Sequence, residues 1–146
     1  AGIPGVLDGD RAPVDPAVVT TASHVAFSAQ AMREMAGRDD VAAALASHAA
    51  GAANWLAVTD GPAGIWFMHE GTIRHQPAFP VTAVDTLAAG DTFHGALALA
   101  LGEAMPIPRA VAFAAAAAAL KCTRFGGRKG APTRAEVEAM LKGGAA

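Results

Sequence analysis

The chain has 146 residues, of which 53% are hydrophobic and 16% charged, and its formal net charge is −2. This length suits one domain spanning residues 1–146, and the composition indicates a packed globule rather than a disordered chain. A charge so near zero gives no electrostatic case for a nucleic-acid or anionic-membrane partner. The single cysteine, Cys122, excludes an intramolecular disulfide and suits a reducing compartment.

No apolar run approaches the length of a membrane span, because Pro, Gly and charges interrupt every stretch. Ala1-Gly2-Ile3-Pro4 lacks the basic region and apolar core of a signal peptide, and no Met precedes it. We therefore expect a cytoplasmic protein whose given sequence begins inside a longer chain. Residues 5–10 read as a strand ending in an acidic turn, 16–21 as a helical turn, and 25–28 as a second short strand. Helices follow over 29–35 and 40–50, separated by Gly37, with Asp39 or Asp40 placed to cap the second. Trp55-Leu56-Ala57-Val58-Thr59 is the clearest central strand. A glycine-bearing turn over 60–64 leads to strands 65–68 and 73–76, joined by a hairpin turn over 69–72. Beyond Pro80 the pattern becomes mainly helical, over 90–101, 108–121 and 134–141. Pro108 suits a first helical turn, and Thr133 with Glu136 forms a capping box. Strands alternating with helices in the first half argue for an α/β domain with a mostly parallel sheet.

The chemistry is most legible in Asp85-Thr86-Leu87-Ala88-Ala89-Gly90-Asp91-Thr92-Phe93. A short Ala/Gly stretch runs straight into an apolar segment with helical spacing. That places the amides of Ala88, Ala89, Gly90 and Asp91 at a helix N-terminus, where unpaired N–H groups and the dipole favour an anion. A carboxylate in such a place has two readings. Asp91 is either an ordinary helix N-cap, or a base that takes a proton from a hydroxyl while the amides hold a migrating phosphoryl group. A second element, Thr59 with Gly61 and Gly64, is either a plain turn or a place where backbone and hydroxyl approach phosphate or ribose.

The stretch 85–91 resembles the DTxGAGD signature of the ribokinase (PfkB) family of carbohydrate kinases, with Leu87 in the variable slot and Ala88 in place of the first glycine. The resemblance covers essentially the whole chain but matches only the C-terminal half of such a kinase. It implies the C-terminal portion of a ribokinase-like three-layer α/β fold, a mostly parallel sheet flanked by helices, with the lid absent. Phe27-Ser28, Pro77-Ala78-Phe79-Pro80, Val84-Asp85-Thr86-Leu87 and Leu120-Lys121-Cys122 lean toward the ketohexokinase and sulfofructose kinase-like branch.

By the same resemblance, Asp91 is the general base and the amides from Ala88 through Ala89 and Gly90 to Asp91 form the anion hole. ATP with Mg²⁺ phosphorylates a sugar hydroxyl, in the ketose branch at C1. Thr59, Gly61 and Gly64 become nucleotide contacts. Ala116, within the Ala-rich helix, joins the loop bearing Gly126 and Gly127 in walling the adenine pocket. Asp85, the Leu87 carbonyl and the 122–127 loop are candidate ligands for a monovalent cation such as K⁺. Many members carry an Asn-x-x-Glu motif after the second strand; the matching stretch here, Ser28-Ala29-Gln30-Ala31, has neither residue, and ketohexokinase-like members also lack the motif. The implied partners are ATP and a small-molecule sugar, with a homodimer in the full-length form. The competing reading is a non-enzymatic nucleotide-binding or interaction module derived from a truncated kinase.

Among the remaining residues, His94 is expected to pack rather than act, and Cys122 to behave as a buried small hydrophobe. His24, His48, His69 and His75 lack zinc-ligand spacing. Arg124, Arg128 and Lys129 make a short basic loop.

Overall fold

Parallel strands joined by helical crossovers open the chain, and a tight antiparallel hairpin closes its sheet. The computed structural model describes residues 2–13, 15 and 17–143, which form two compact units, Ala1–Gln76 and Pro77–Ala146. Pro16, the expected start of the first helical turn, and Ala1 lie outside the described residues.

In the first unit, β1 (Val6–Gly9), β2 (His24–Ser28) and β3 (Trp55–Thr59) pair in parallel, with Gly9 opposite Phe27 and Ser28 opposite Thr59. β4 (Ile65–His69) and β5 (Thr72–Gln76) continue the sheet as an antiparallel hairpin, in the order β1-β2-β3-β4-β5. Four of the five strands thus run the same way, β4 alone being reversed. The hairpin turn has φ of 50° at Glu70 and 73° at Gly71. Two successive positive values match the right-handed twist of the flanking strands, and glycine at the second carries no steric cost.

The crossovers are α1 (Ala17–Thr21) between β1 and β2, and α2 (Ala29–Ala36) with α3 (Val41–Ala49) between β2 and β3. Ser28 caps α2, its Oγ accepting Ala31 N–H at 3.1 Å while donating to Asp10 O at 3.1 Å. Gly37 ends α2 in the left-handed region, and Asp40 caps α3 through Ala42 and Ala43 N–H. Val25 and Phe27 of β2, Leu56 and Val58 of β3, Met32 of α2 and Leu45 of α3 form one buried cluster. The helices flank the sheet because this apolar face must be removed from water.

The second unit is helical. It contains α4 (Ala89–Gly102), α5 (Ile107–Cys122) and α6 (Arg134–Gly143), with a 3-10 turn at Arg128–Gly130. Pro108 lies in the first turn of α5. The capping box holds: Glu136 Oε2 accepts from Thr133 N–H at 2.7 Å and Thr133 Oγ1 at 2.9 Å. Leu97 and Ala100 of α4 and Ala110, Val111, Ala114 and Ala117 of α5 are buried, the alanines letting the helix backbones approach.

Candidate active site

Residues 84 and 85 are anchored to the C-terminal end of α5, where the Cys122 carbonyl accepts Val84 N–H at 2.7 Å and Asp85 N–H at 3.1 Å. Cys122 is half-buried and acts through its backbone. Asp85 then closes an Asx turn, its Oδ1 accepting Leu87 N–H at 2.9 Å. Oδ2 accepts Gly126 N–H at 2.9 Å and lies 3.5 Å from Lys121 Nζ. The Leu87 and Gly126 amides, with the Lys121 ammonium behind them, hold the Asp85 carboxyl below the usual carboxylate range. Asp85 therefore staples the signature to the 123–127 loop. Gly126 suits the loop because its φ is 84°.

At Ala88 the chain turns through the left-handed region, φ 60° and ψ 23°, and this residue is the N-cap of α4, with no side-chain capping bond. That backbone costs an alanine about 1–2 kcal/mol relative to its favoured regions. It also excludes the N-cap reading of Asp91. Asp91 is the third residue of α4 and not its cap; its carboxylate stands exposed in the first turn, at the positive end of the helix.

Of the four amides expected to meet an anion, one is already engaged. Ala89 N–H donates to Thr86 O at 3.1 Å, and the first i→i−4 bond of the helix is Thr92 N–H to Ala88 O at 3.0 Å. Ala89 is thus spent on the turn, and the amides left for an anion are those of Ala88, Gly90 and Asp91. Thr92 Oγ1 also donates to Ala88 O, at 2.8 Å, which fixes the cap carbonyl.

Ala88 and Asp91 line a cavity of ≈ 430 Å³ whose other walls include Gly95 and Ala96 of α4, Phe113 and Ala117 of α5, and Gly127. Small residues keep it open. An added Cβ on Gly127 would stand 3.4 Å from Ala88 Cβ, so loop and signature already touch there. Ala116, expected in this wall, is fully buried and does not line the cavity; its neighbour Ala117 does. Gly126 faces Asp85 instead.

Sequence reasoning passed over one helix face and one arginine at this site. Phe113, Ala117 and Lys121 follow one another at i, i+4 and i+8 on α5, a spacing that marks one face. Arg134 lines the cavity with its guanidinium 5.2 Å above the Phe113 ring, and it bonds Glu103 at 2.5 Å. The basic loop divides. Arg124 is held by Glu136 at 2.5 Å, whereas Arg128 lines the cavity. The Arg124 guanidinium, then the Thr133 amide and hydroxyl, pull the Glu136 carboxyl down to about 2.

His94 is buried, its Nδ1 2.8 Å from Gly90 O and its ring edge-on to Phe93, as expected of a packing histidine. Among the described residues, no group of three or more His, Cys, Asp and Glu could hold a metal ion.

Thr59, Gly61 and Gly64 belong to the first unit. Thr59 ends β3, its Oγ1 donating to Phe27 O at 3.4 Å. The following 3-10 turn, Gly61–Ala63, is closed by Asp60 N–H to Gly64 O at 2.8 Å, and Asp60 itself pairs with Arg33 at 3.2 Å. Gly61 and Gly64 have φ of 50° and 96°, so the turn requires glycine at both. Thr59 lies at the carboxyl edge of the parallel strands, the edge at which open α/β sheets bind ligands.

Residues 5–134 match the model of the pfkB family carbohydrate kinases. A Bacillus subtilis ribokinase is 44% identical over 86 residues, which cover 59% of this chain and 29% of that protein. A crystal structure of a provisional ribokinase from Agrobacterium tumefaciens superposes with a TM-score of 0.91 at 46% identity, covering 98% of this chain and 49% of that one. The Arabidopsis thaliana ribokinase complexed with ribose and ATP gives a TM-score of 0.84 at 26% identity, over 95% and 47% of the two chains. The chain thus spans about half the length of the kinase structures it matches.

Proposed function

The chain belongs to the pfkB family of carbohydrate kinases, and from that premise we propose that it is the ATP-binding and catalytic portion of a sugar kinase. The observation that carries the proposal is Asp91. It is a carboxylate in the first turn of α4, relieved of capping by Ala88, beside free helix-end amides and at the wall of a cavity with room for a nucleotide. Asp91 accepts the proton of the sugar hydroxyl as that oxygen bonds to the γ-phosphorus and the bond from phosphorus to the ADP oxygen breaks. The amides of Ala88, Gly90 and Asp91 take the charge that gathers on the equatorial oxygens. Because they are fixed by the turn beforehand, they need no reorganisation during the reaction.

The complex of the Arabidopsis ribokinase with ribose and ATP supports ATP as donor and a sugar as acceptor. Gly95, Ala117 and Gly127 leave room for the base, and Arg128 and Arg134 bring positive charge to the same cavity. Thr59, Gly61 and Gly64 enter as further nucleotide contacts on their order along the chain. Mg²⁺ fits this donor set only as a companion of the nucleotide, held by phosphates and water, since no carboxylate cluster is available among the described residues. Bound there it would offset phosphate charge in the transition state. For the monovalent cation, the oxygens of residues 85 and 124 already face an ammonium of the chain itself.

The acceptor we propose is a furanose sugar, with C1 of a ketose favoured by the wording of residues 77–80, 84–87 and 120–122. A cytoplasmic location and a homodimer of the full-length form belong to the same proposal. The test is release of ADP from MgATP by the full-length protein against a panel that includes ribose and fructose. Sugar-dependent release, lowered about 10²–10⁴-fold by Asp91→Asn with nucleotide affinity kept, is the expected result. MgATP binding without turnover on any sugar would favour the non-enzymatic module instead.

A further inference from the structure

Lys121 is a charged side chain with no exposed surface, at the last turn of a helix built from alanine. A buried ammonium survives only where oxygens replace its water. Here three do. Nζ donates to Asp85 O at 2.8 Å and to Arg124 O at 3.3 Å, and it lies 3.5 Å from Asp85 Oδ2. Two hydrogen bonds and one ion pair thus replace the water around the ammonium. Gly130 completes the cradle. An added Cβ there would stand 3.3 Å from Lys121 Cε and 3.4 Å from Arg124 O.

These oxygens come from the two segments, the signature and the 122–127 loop, at which the resemblance implies a monovalent cation. Two main-chain carbonyls and a carboxylate are a donor set such an ion would use, but the place is taken. An ion meeting the Asp85 and Arg124 carbonyls would fall within the volume of Nζ. The implied ion therefore does not fit this chain.

We propose that the Lys121 ammonium is the resident cation of this site, a covalently tethered replacement that joins residue 85 to residue 124 and so positions the Ala88–Asp91 turn without any added monovalent ion. The proposal deepens the kinase reading and rests on it for its functional readout. Lys121 touches no reacting atom; it is a positioning residue.

The experiment is MgATP binding by calorimetry on the full-length protein, in KCl and in tetramethylammonium chloride at equal ionic strength, with the unfolding temperature read in both salts. Tetramethylammonium is too large for the cradle and makes no hydrogen bonds. The wild type is expected to bind MgATP equally in the two salts and to unfold at the same temperature. Lys121→Met, whose side chain ends one atom short of Nζ, is expected to bind about 5–150-fold more weakly in tetramethylammonium and to recover in KCl or ammonium chloride. A merely structural lysine would show no such recovery. Wild-type affinity or unfolding temperature that rises in KCl overturns the proposal, and it does so even if the variant fails to fold. If the wild type binds no MgATP in either salt, the kinase reading falls. The unfolding temperatures still decide the cation: equal values for the wild type, with potassium-dependent stabilisation of Lys121→Met, support it.

Discussion

Gly95 separates what the fold wants from what the cavity wants. It stands in the middle of α4 (Ala89–Gly102), where glycine costs about 0.5–1 kcal/mol relative to alanine through its extra freedom in the unfolded chain. Its backbone is helical, and a Cβ built on it would meet nothing within 4 Å, so no packing contact demands the missing side chain. The remaining use of glycine is the space it leaves, since it lines the ≈ 430 Å³ cavity beside Asp91. Gly95→Ala should therefore stabilise the protein by about 0.5–1 kcal/mol, visible as a rise of about 1–4 °C in Tm and as a higher urea midpoint at unchanged m-value. Gly95→Phe keeps the helix but puts an aromatic ring into the cavity, and it should weaken MgATP about tenfold or more, a loss of about 1.4 kcal/mol or greater. Calorimetric titration with MgATP and urea unfolding of both variants provide the assay. A destabilised Gly95→Ala would show that the open space is filled in the working protein. A stable Gly95→Phe with full affinity would refute the cavity as the nucleotide pocket.

Further outcomes follow from single contacts. Gly9→Ala would press a methyl to 2.4 Å from Phe27 Cδ1, and Phe27 is only 1% exposed. It should therefore cost about 1–3 kcal/mol in urea unfolding, less when combined with Phe27→Leu. Glu136 has its carboxyl at about 2 in the folded protein against an ordinary 4.5. Its stabilising contribution is then complete above pH 4.5 and lost as pH falls toward 2, and Glu136→Gln should flatten acid unfolding across that window. A mutant curve as steep as the wild type would remove Glu136 from the cause. Asp91→Asn, already the test of the catalytic role, should leave Tm almost unchanged because the residue is exposed; a large drop would mean that its carboxylate is structural.

Much of the fold could be read from local pattern. The strands announced themselves as short apolar runs ending at Gly9, Ser28 and Thr59, and Glu70-Gly71 between alternating residues foretold the two-residue turn between β4 and β5. Helix ends were legible where the chemistry is local, at Gly37, Asp40 and the Thr133–Glu136 box, whereas the Ser28 cap of α2 was read only as the end of a strand. Strand order was not. Parallel neighbours such as Gly9 and Phe27 meet only after a helical crossover, and nothing within either strand records its partner. The Asp91 segment was legible as a helix start but not in its detail. Alanine is a poor guide to a left-handed backbone, so Ala88 gave no sign that it, and not Asp91, would cap α4.

The cation bound by the chain itself shows why residue type and position must be read together. Lysine near a helix C-terminus is ordinary, since it complements the dipole there, and Lys121 was read only as part of a tripeptide leaning toward one branch of the family. Its face was the neglected information. The positions four and eight residues before it are Ala117 and Phe113, both buried, so the helix period alone places Lys121 on the side of α5 turned away from water. A lysine there must find oxygens for all three of its protons or cost the fold several kcal/mol. The carboxylate within reach is Asp85, the first residue of the signature, and with it come the Asp85 and Arg124 carbonyls. Asp85 was read as a candidate cation ligand, and the geometry gives it two tasks at once: it caps the turn through Leu87 and holds a cation that the chain carries.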